Sequence, residues 1–278
     1  MKTLVIQSYR THNVPDWIAR CLETVRDWTA RKGHDYQFAD DSSFAVCGEA
    51  YLASVGDNKC SITNLSRLEL LRQAHRDGYD RAIWLDADIH VFDPDRFTID
   101  LDQRYAIARE TWVGCPPPGH SQWFVHVSVN NSAMVFMRDE PDLDLLINVT
   151  RHIGVHRRIK HNFQVGVTLF RGLWESLDFA LLDNSGMFSS SVLYALARGL
   201  DLPLEAQARY HGTPVYAANL CAGPHATPPI DEASIMLAMD RLDATKGDVI
   251  NHWLTEHGAL YAAPYPNLNP FDGPALDL

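Results

Sequence analysis

Arg81-Ala82-Ile83-Trp84-Leu85-Asp86-Ala87-Asp88-Ile89-His90-Val91-Phe92-Asp93-Pro94 decides how this chain is read. An apolar run enters two carboxylates separated by one alanine, then resumes as Ile89, Val91 and Phe92. A continuous apolar run, rather than an alternating one, marks a strand buried on both faces. In extended chain Asp86 and Asp88 lie on one face and Ala87 on the other. Carboxylates about 5 Å apart repel by roughly 3 kcal/mol at an effective dielectric near 20, and burial adds desolvation. A divalent ion neutralises such a pair, because Mg²⁺ or Mn²⁺ takes hard oxygen ligands and completes its shell with water or substrate phosphates. The alternative is that the pair simply ends a strand and caps a turn. Asp-x-Asp recurs at Asp93 and Asp95, Asp100 and Asp102, and Asp142 and Asp144. Those copies lie beside prolines, in polar surroundings or at a helix start, and only Asp86 and Asp88 have a core strand behind them.

The totals bound the rest. A chain of 278 residues fits one α/β core with elaborate loops. Its 46% apolar and 21% charged residues are those of an ordinary globular protein. A formal net charge of −11 argues against general nucleic-acid binding, which needs the opposite sign. An acidic protein still handles a nucleotide when a metal carries the positive charge. Cys21, Cys47, Cys60, Cys115 and Cys221 are odd in number and widely spread, so neither a zinc cluster nor a disulfide framework follows. The apolar start, Thr3 to Ile6, is too short for a signal peptide, and no uncharged apolar stretch approaches the ~20 residues of a membrane helix. The expected location is cytoplasmic.

Working outward, Thr3 to Ser8 reads as a buried strand, and Pro15 opens a helix that carries Trp17, Ile18, Cys21, Leu22, Val25 and Trp28 to Gly33. Tyr36 to Ala39 is a second strand, so the chain begins β-α-β with a parallel pair. Phe44 to Lys59 lacks a period and reads as a loop over a ligand. Ser61 is expected to cap a helix through Ala74 that stops at Gly78. Tyr105 to Ala108 is expected as a strand, residues 114–120 as a stiff exposed Pro-rich loop, and Val127 to Met137 as an alternating strand broken by Asn130-Asn131-Ser132. Helices are expected after Pro141, over Ser189 to Gly199 and over Glu232 to Asp243. Val249 to Trp253 reads as a short apolar segment, as a strand end would be. No repeat or low-complexity linker divides the chain, and the fold class is α/β in one domain.

Strand, helix, strand, helix, then an apolar strand ending in Leu85-Asp86-Ala87-Asp88 resembles the GT-A glycosyltransferases, which use nucleotide-sugar donors and usually Mn²⁺. Within them it is similar to families with a DxD "sugar-binding region", such as yeast initiating mannosyltransferases and bacterial capsule or lipopolysaccharide transferases. Ile6 to Thr11, Pro15 and Cys21 to Asp27 resemble their first strand and helix. Asn64-Leu65-Ser66-Arg67-Leu68 through Leu71 resembles their helix before the metal strand, with Asn64 where that motif has an aspartate. The resemblance implies a mostly parallel mixed sheet flanked by helices, with a nucleotide-sugar-binding half over 1–110 and an acceptor half over 111–278. It implies a hexosyltransferase that uses Mn²⁺ or Mg²⁺ and moves a hexose from a UDP-sugar, or a GDP-sugar, to a saccharide or other hydroxyl acceptor.

By that resemblance Asp86 and Asp88 contact ribose and metal, with His252 or His225 as a third ligand and His252 preferred. Asn131 and Asn130 lie where relatives carry an Asn near donor sugar and acceptor. Asp183 resembles the acidic position that opens a late helix, acting as base in an inverting enzyme or supporting the sugar in a retaining one, with a plain helix cap as its structural role. Read from the residues themselves, Gln7, Tyr9 and Arg10 leave the first strand at its carboxyl end, where open α/β sheets bind ligands. Asp40 or Asp41 at the end of the second strand reaches base or ribose, and Lys59 and Arg67 are diphosphate partners, with turn chemistry and solvation as the structural alternatives. The basic run from Arg151 to His161 reads as a solvated face, with contact to an anionic acceptor or lipid phosphate as the alternative. Two other functions compete. A sugar nucleotidyltransferase would need a Gly-rich phosphate loop, and Ser8 to His12 contains no glycine. A non-catalytic nucleotide-sugar-binding protein would bind without turnover.

Overall fold

A computed structural model describes residues 1–99, 103–114, 124–177, 179–223 and 229–260. The expected loop over 114–120 and the tail beyond residue 260 fall outside them, apart from Gly114. In chain order the elements are β1 (Thr3–Ser8), α1 (Asp16–Arg31), β2 (Asp35–Ala39), a 3₁₀ segment (Asp41–Cys47), α2 (Glu49–Val55), α3 (Lys59–Arg76), β3 (Arg81–Leu85) and β4 (Ile89–Val91). There follow β5 (Tyr105–Gly114), β6 (Phe124–Met137), α4 (Pro141–His156), α5 (Val167–Leu177), β7 (Ala180–Leu182), β8 (Ser185–Ser189), α6 (Ser190–Arg198), α7 (Asp201–His211), β9 (Ala217–Cys221), α8 (Glu232–Thr245) and α9 (Asp248–His257).

The fold is α/β. Six strands form a mixed sheet in the order β2-β1-β3-β6-β5-β7, and β4-β9-β8 form a second sheet. The β1-β2, β1-β3 and β5-β7 pairs are parallel, while β6 runs antiparallel between β3 and β5. Alternate residues of the buried strands feed two cores. Leu4, Ile6, Trp84, Ile107 and Phe136 pack with Leu65, Leu68, Leu146 and Phe170 from α3, α4 and α5. Val5, Ile83, Leu85 and Val135 face Val25 and Trp28 of α1 together with Ile89 and Val91 of β4. A third core joins the other side of α1 to α6, α7 and α8. The boundary drawn at residue 110 falls within β5.

Several local expectations are corrected. Phe44 to Lys59 is mainly helical, because Tyr51, fully buried, donates its hydroxyl to Ser61 O at 3.0 Å and clamps α2 onto α3. Gly154 of α4 accommodates that ring; a Cβ there would lie 2.1 Å from it. The cap of α3 is Asn58, whose Oδ1 accepts from Ser61 N at 3.0 Å. Ser61 itself is buried, with a hydroxyl that finds no partner among the described residues. Val249 to Trp253 lies in a helix rather than at a strand end.

Loss of an N-cap side chain costs about 1 kcal/mol, whereas removing a buried hydroxyl that makes no hydrogen bond costs little. Asn58→Ala should therefore lower unfolding stability by about 1 kcal/mol and Ser61→Ala by less than half of that, read from urea denaturation midpoints. The reverse ranking would restore Ser61 as the cap.

Candidate donor and cation site

Asp86, Ala87 and Asp88 do not continue the strand. They form the turn at which β3 leaves the six-stranded sheet and β4 enters the smaller one, closed by a hydrogen bond from Ile89 N to Asp86 O at 3.1 Å. The expected extended face is replaced by this turn, and the carboxylates are placed by what grips it. Asp86 N donates to Ser132 O at 2.7 Å, and Leu220 N donates to Asp88 O at 2.8 Å. Gln7, fully buried, donates from Nε2 to Asp86 O at 3.1 Å and accepts the Tyr36 hydroxyl on its Oε1. The role expected of Gln7 toward the nucleotide is thereby corrected, because its amide is spent beneath the turn. Three strands, β1, β6 and β9, thus hold one turn.

The side chains are held as closely. Trp84 donates Nε1–H to Asp86 Oδ1 at 2.6 Å, and the Arg67 guanidinium lies 3.2 Å from the same oxygen. Arg67 also stands over the Trp84 ring, 5.3 Å from its centroid, and bonds Asn131 O. Asp88 Oδ1 accepts from Asn219 Nδ2 at 2.6 Å, and that amide is turned by the Cys221 thiol, which donates to Asn219 Oδ1. Burial raises the Asp86 carboxyl against the pull of Arg67. Burial, then the neighbouring Asp86 charge, raises Asp88 to about 7. Among the described residues, neither Oδ2 makes a hydrogen bond.

Both aspartates line a cleft of about 600 Å³ together with Tyr9, Arg10, Asp41, Lys59 and Arg67. Tyr9, Arg10, Asp41, Lys59 and Arg67, expected from scattered positions, therefore share one cavity. Lys59 pairs with Asp41 Oδ2 at 3.0 Å, and Arg10 caps the turn at Asn13 O. Asp40 caps the 3₁₀ segment through Ser42 N instead of facing the cleft. Asn130, Asn131 and Ser132 line an adjoining compartment with Asp86 and Asp88. The β5-β6 register slips there, from Ile107 opposite Met134 to Ala108 opposite Asn130, and the slip explains polar residues within a buried strand. Asn131 donates from Nδ2 to Asn64 Oδ1 at 2.9 Å.

Two expected residues stand elsewhere. His252 lies on α9, its Nδ1 on Asp248 O and its ring against Trp253, away from the aspartates. It is half-buried there and lines neither compartment that holds the aspartates, so the structure does not bring it together with them. His225 falls outside the described residues. Asp183 opens no helix: it sits in the turn between β7 and β8, pairs with Arg109 Nε at 2.8 Å and lines none of these compartments. Arg151, from the basic run, holds Glu69 and Cys47 O and is structural. Sequence reasoning missed Asn219 and Cys221, which belong to a strand that it did not predict. It also missed Glu110, an acid within an apolar strand.

Among the described residues no group of three or more His, Cys, Asp or Glu is arranged to hold a metal. Two carboxylates with free oxygens still fit Mg²⁺ or Mn²⁺, which commonly take one or two protein carboxylates and complete the shell with substrate phosphates. No family model and no curated protein matches the sequence. Solved structures do resemble the chain. A glycosyltransferase involved in the glycosylation of the major capsid of PBCV-1 aligns at 9% identity and TM-score 0.48, over 87% of this chain and 99% of its own. The apo-form glycosyltransferase GlyE of Streptococcus pneumoniae TIGR4 aligns at 15% identity and TM-score 0.44, over 93% of this chain, which spans 64% of GlyE. Mouse xyloside xylosyltransferase 1 aligns at 16% and 0.41, over 83% of this chain and 99% of its own. No described helix is long and apolar enough to cross a membrane.

A carboxyl whose pKa lies above its unfolded value holds a proton that the unfolded chain has released. The contribution of Asp88 to the stability of the metal-free fold thus falls as pH rises from about 4 to about 7, and the loss persists above that. Asp88→Asn, which keeps an acceptor for Asn219, should stabilise the metal-free chain by roughly 2 kcal/mol at pH 8 and by almost nothing at pH 4. Denaturant unfolding in EDTA at the two pH values tests this, and an equal effect at both would show that Asp88 is not desolvated.

Proposed function

We propose that this chain is a metal-dependent glycosyltransferase that moves a hexose from a nucleoside-diphosphate sugar, UDP-sugar before GDP-sugar, to a hydroxyl acceptor. One observation carries the reading. Two neighbouring carboxylates that burial raises, Asp86 and Asp88, line both a cleft with Arg10, Lys59 and Arg67 and a second compartment with Asn130 and Asn131. A substrate carrying both phosphate and sugar spans such a junction.

The division of labour follows from the residues. Asp86 and Asp88 hold the cation, Mn²⁺ or Mg²⁺, which when bound supplies charge to offset the departing diphosphate. Arg67 cancels part of the Asp86 charge and keeps that carboxylate aimed. Lys59 and Arg10, both exposed at the rim, supply positive charge along the cleft, and Tyr9 supplies an aromatic wall for a base. Asn130, half-buried, offers its amide beside the aspartates, where the sugar lies, and Asn131, already bonded to Asn64, shapes that compartment. Because the described residues bring just these two carboxylates together there, the cation and the diphosphate bind as a unit.

Mn²⁺ alone should therefore raise the melting temperature little, UDP alone little, and the two together by several degrees, as expected for ligands that bind only the native state. Screening UDP- and GDP-sugars in the same assay identifies the donor. Asp86→Ala and Asp88→Ala should each abolish the joint shift and lower transfer or donor hydrolysis by about 100-fold or more. A joint shift that survives both substitutions would end the proposal, and binding without any hydrolysis or transfer would leave a nucleotide-sugar-binding protein.

A further inference from the structure

Beyond the register slip, β5 and β6 continue as a two-stranded arm with an unusual division of faces. Val125, Val127 and Val129 alternate with Phe124, His126, Ser128 and Asn130. Trp112 stands opposite His126 and Glu110 opposite Ser128, so these side chains share the face that the valines leave. Val113, Val125 and Val127 are buried in the core beneath. The other face is one wall of a chamber of about 680 Å³ that reaches Asp88, closed by Phe163, Val167 and Arg171. Gly114 keeps that wall in shape: a Cβ there would lie 2.0 Å from the Phe124 ring, which crosses the arm at this point.

The chamber's polar groups define what fits. Glu110, 7% exposed, accepts from Asn130 Nδ2 at 3.0 Å. Arg171 donates to Ser128 Oγ at 2.7 Å and lies 3.8 Å from Glu110, which answers part of its charge. Both ring nitrogens of His126 are shielded and have no hydrogen-bond partner among the described residues. Burial pulls its pKa down to about 4, so at neutral pH it offers one N–H and one lone pair. A phosphate or carboxylate ligand would meet the Glu110 carboxylate and an uncharged imidazole. A purely apolar ligand would leave the imidazole unsatisfied. Phe163 is 62% exposed at the rim, an aromatic surface that an incoming ligand covers.

Hydroxyl groups both donate and accept, and a pyranose carries several of them around a ring with apolar C–H faces. We propose that this chamber is the acceptor site and that it takes a neutral saccharide, its pyranose ring against Trp112 and Phe124 and its hydroxyls on His126, Glu110 and Asn130. Its role as acceptor rests on the transferase reading; pyranose binding does not.

Saturation-transfer NMR with methyl glucoside, galactoside, mannoside and xyloside, in the presence of UDP and diamagnetic Mg²⁺, tests the site. At least one glycoside should bind saturably to the wild-type chain. Trp112→Ala and His126→Phe should each weaken that binding at least about tenfold, as loss of a partner for a buried polar group or of an aromatic wall does. His126→Gln, which retains a donor and an acceptor, should restore most of it. The joint UDP and Mn²⁺ thermal shift of all three variants should match wild type, which shows that they fold and that the donor side is intact. Saturable pyranose binding without any UDP and Mn²⁺ shift would sink the transferase reading and leave the sugar site standing. Absence of saturable binding by all four glycosides, binding indifferent to both loss variants, or displacement of the glycoside by a serine- or threonine-bearing peptide would overturn the proposal.

Discussion

One guanidinium answers one of two neighbouring carboxylates that burial raises, and the region around the cleft is arranged around that imbalance. Arg67, buried on α3, reaches Asp86 at 3.2 Å, whereas Asp88 receives only the amide of Asn219. Leaving a carboxylate that far short of compensation is costly in a low-dielectric setting, and proteins tolerate it where function needs a poised charge. The fold accommodates the cost by over-determining the turn. Gln7, Ser132 and Leu220 fix its backbone from β1, β6 and β9, so the two acids stay at the edge of the cleft.

That turn is also where the architecture divides. β3 belongs to the six-stranded sheet and β4 to the smaller sheet, with Asp86 to Asp88 as the hinge between them. Ligand-binding crevices form where neighbouring strands diverge, because backbone groups and side chains there lose their lateral partners. The second divergence, at the slip between β5 and β6, lies against the first. Asn130, Asn131 and Ser132 sit at the slip and touch the turn through Ser132 O and Arg67. Two local irregularities, each tied to a polar interruption of an apolar strand, build the junction of the cavities.

The interruptions were the legible part of the site. Charge inside a buried strand at Asp86 and Asp88, and amides inside another at Asn130 and Asn131, are visible because they contradict their surroundings. Tyr9, Arg10, Asp41, Lys59 and Arg67 were reachable from the rule that strand ends face the ligand, and the structure gathers them in one cleft. Asp183 was reached by likeness, and His252 by likeness together with a short apolar segment read as a strand end; local geometry sends each elsewhere, one to Arg109 and one to a half-buried place on α9. Gln7 stands at the right strand end, but no pattern reveals that an amide bonds inward to a turn rather than outward to a ligand.

The sequence by itself determined the opening β1-α1-β2 unit, the buried central strand, the helices with clear caps such as Ser189 and Gly199, and the presence of a paired-acid site. Short-range periodicity and capping chemistry suffice for those, since each depends on residues a few positions apart. Only the tertiary structure decided which partners the acids have. Asn219 and Cys221 arrive from more than a hundred positions away on a short strand with no distinctive pattern, and Glu110, Trp112 and His126 share a wall only because β5 and β6 pair in the shifted register. Register and sheet membership arise from long-range packing, and no local run of residues encodes them.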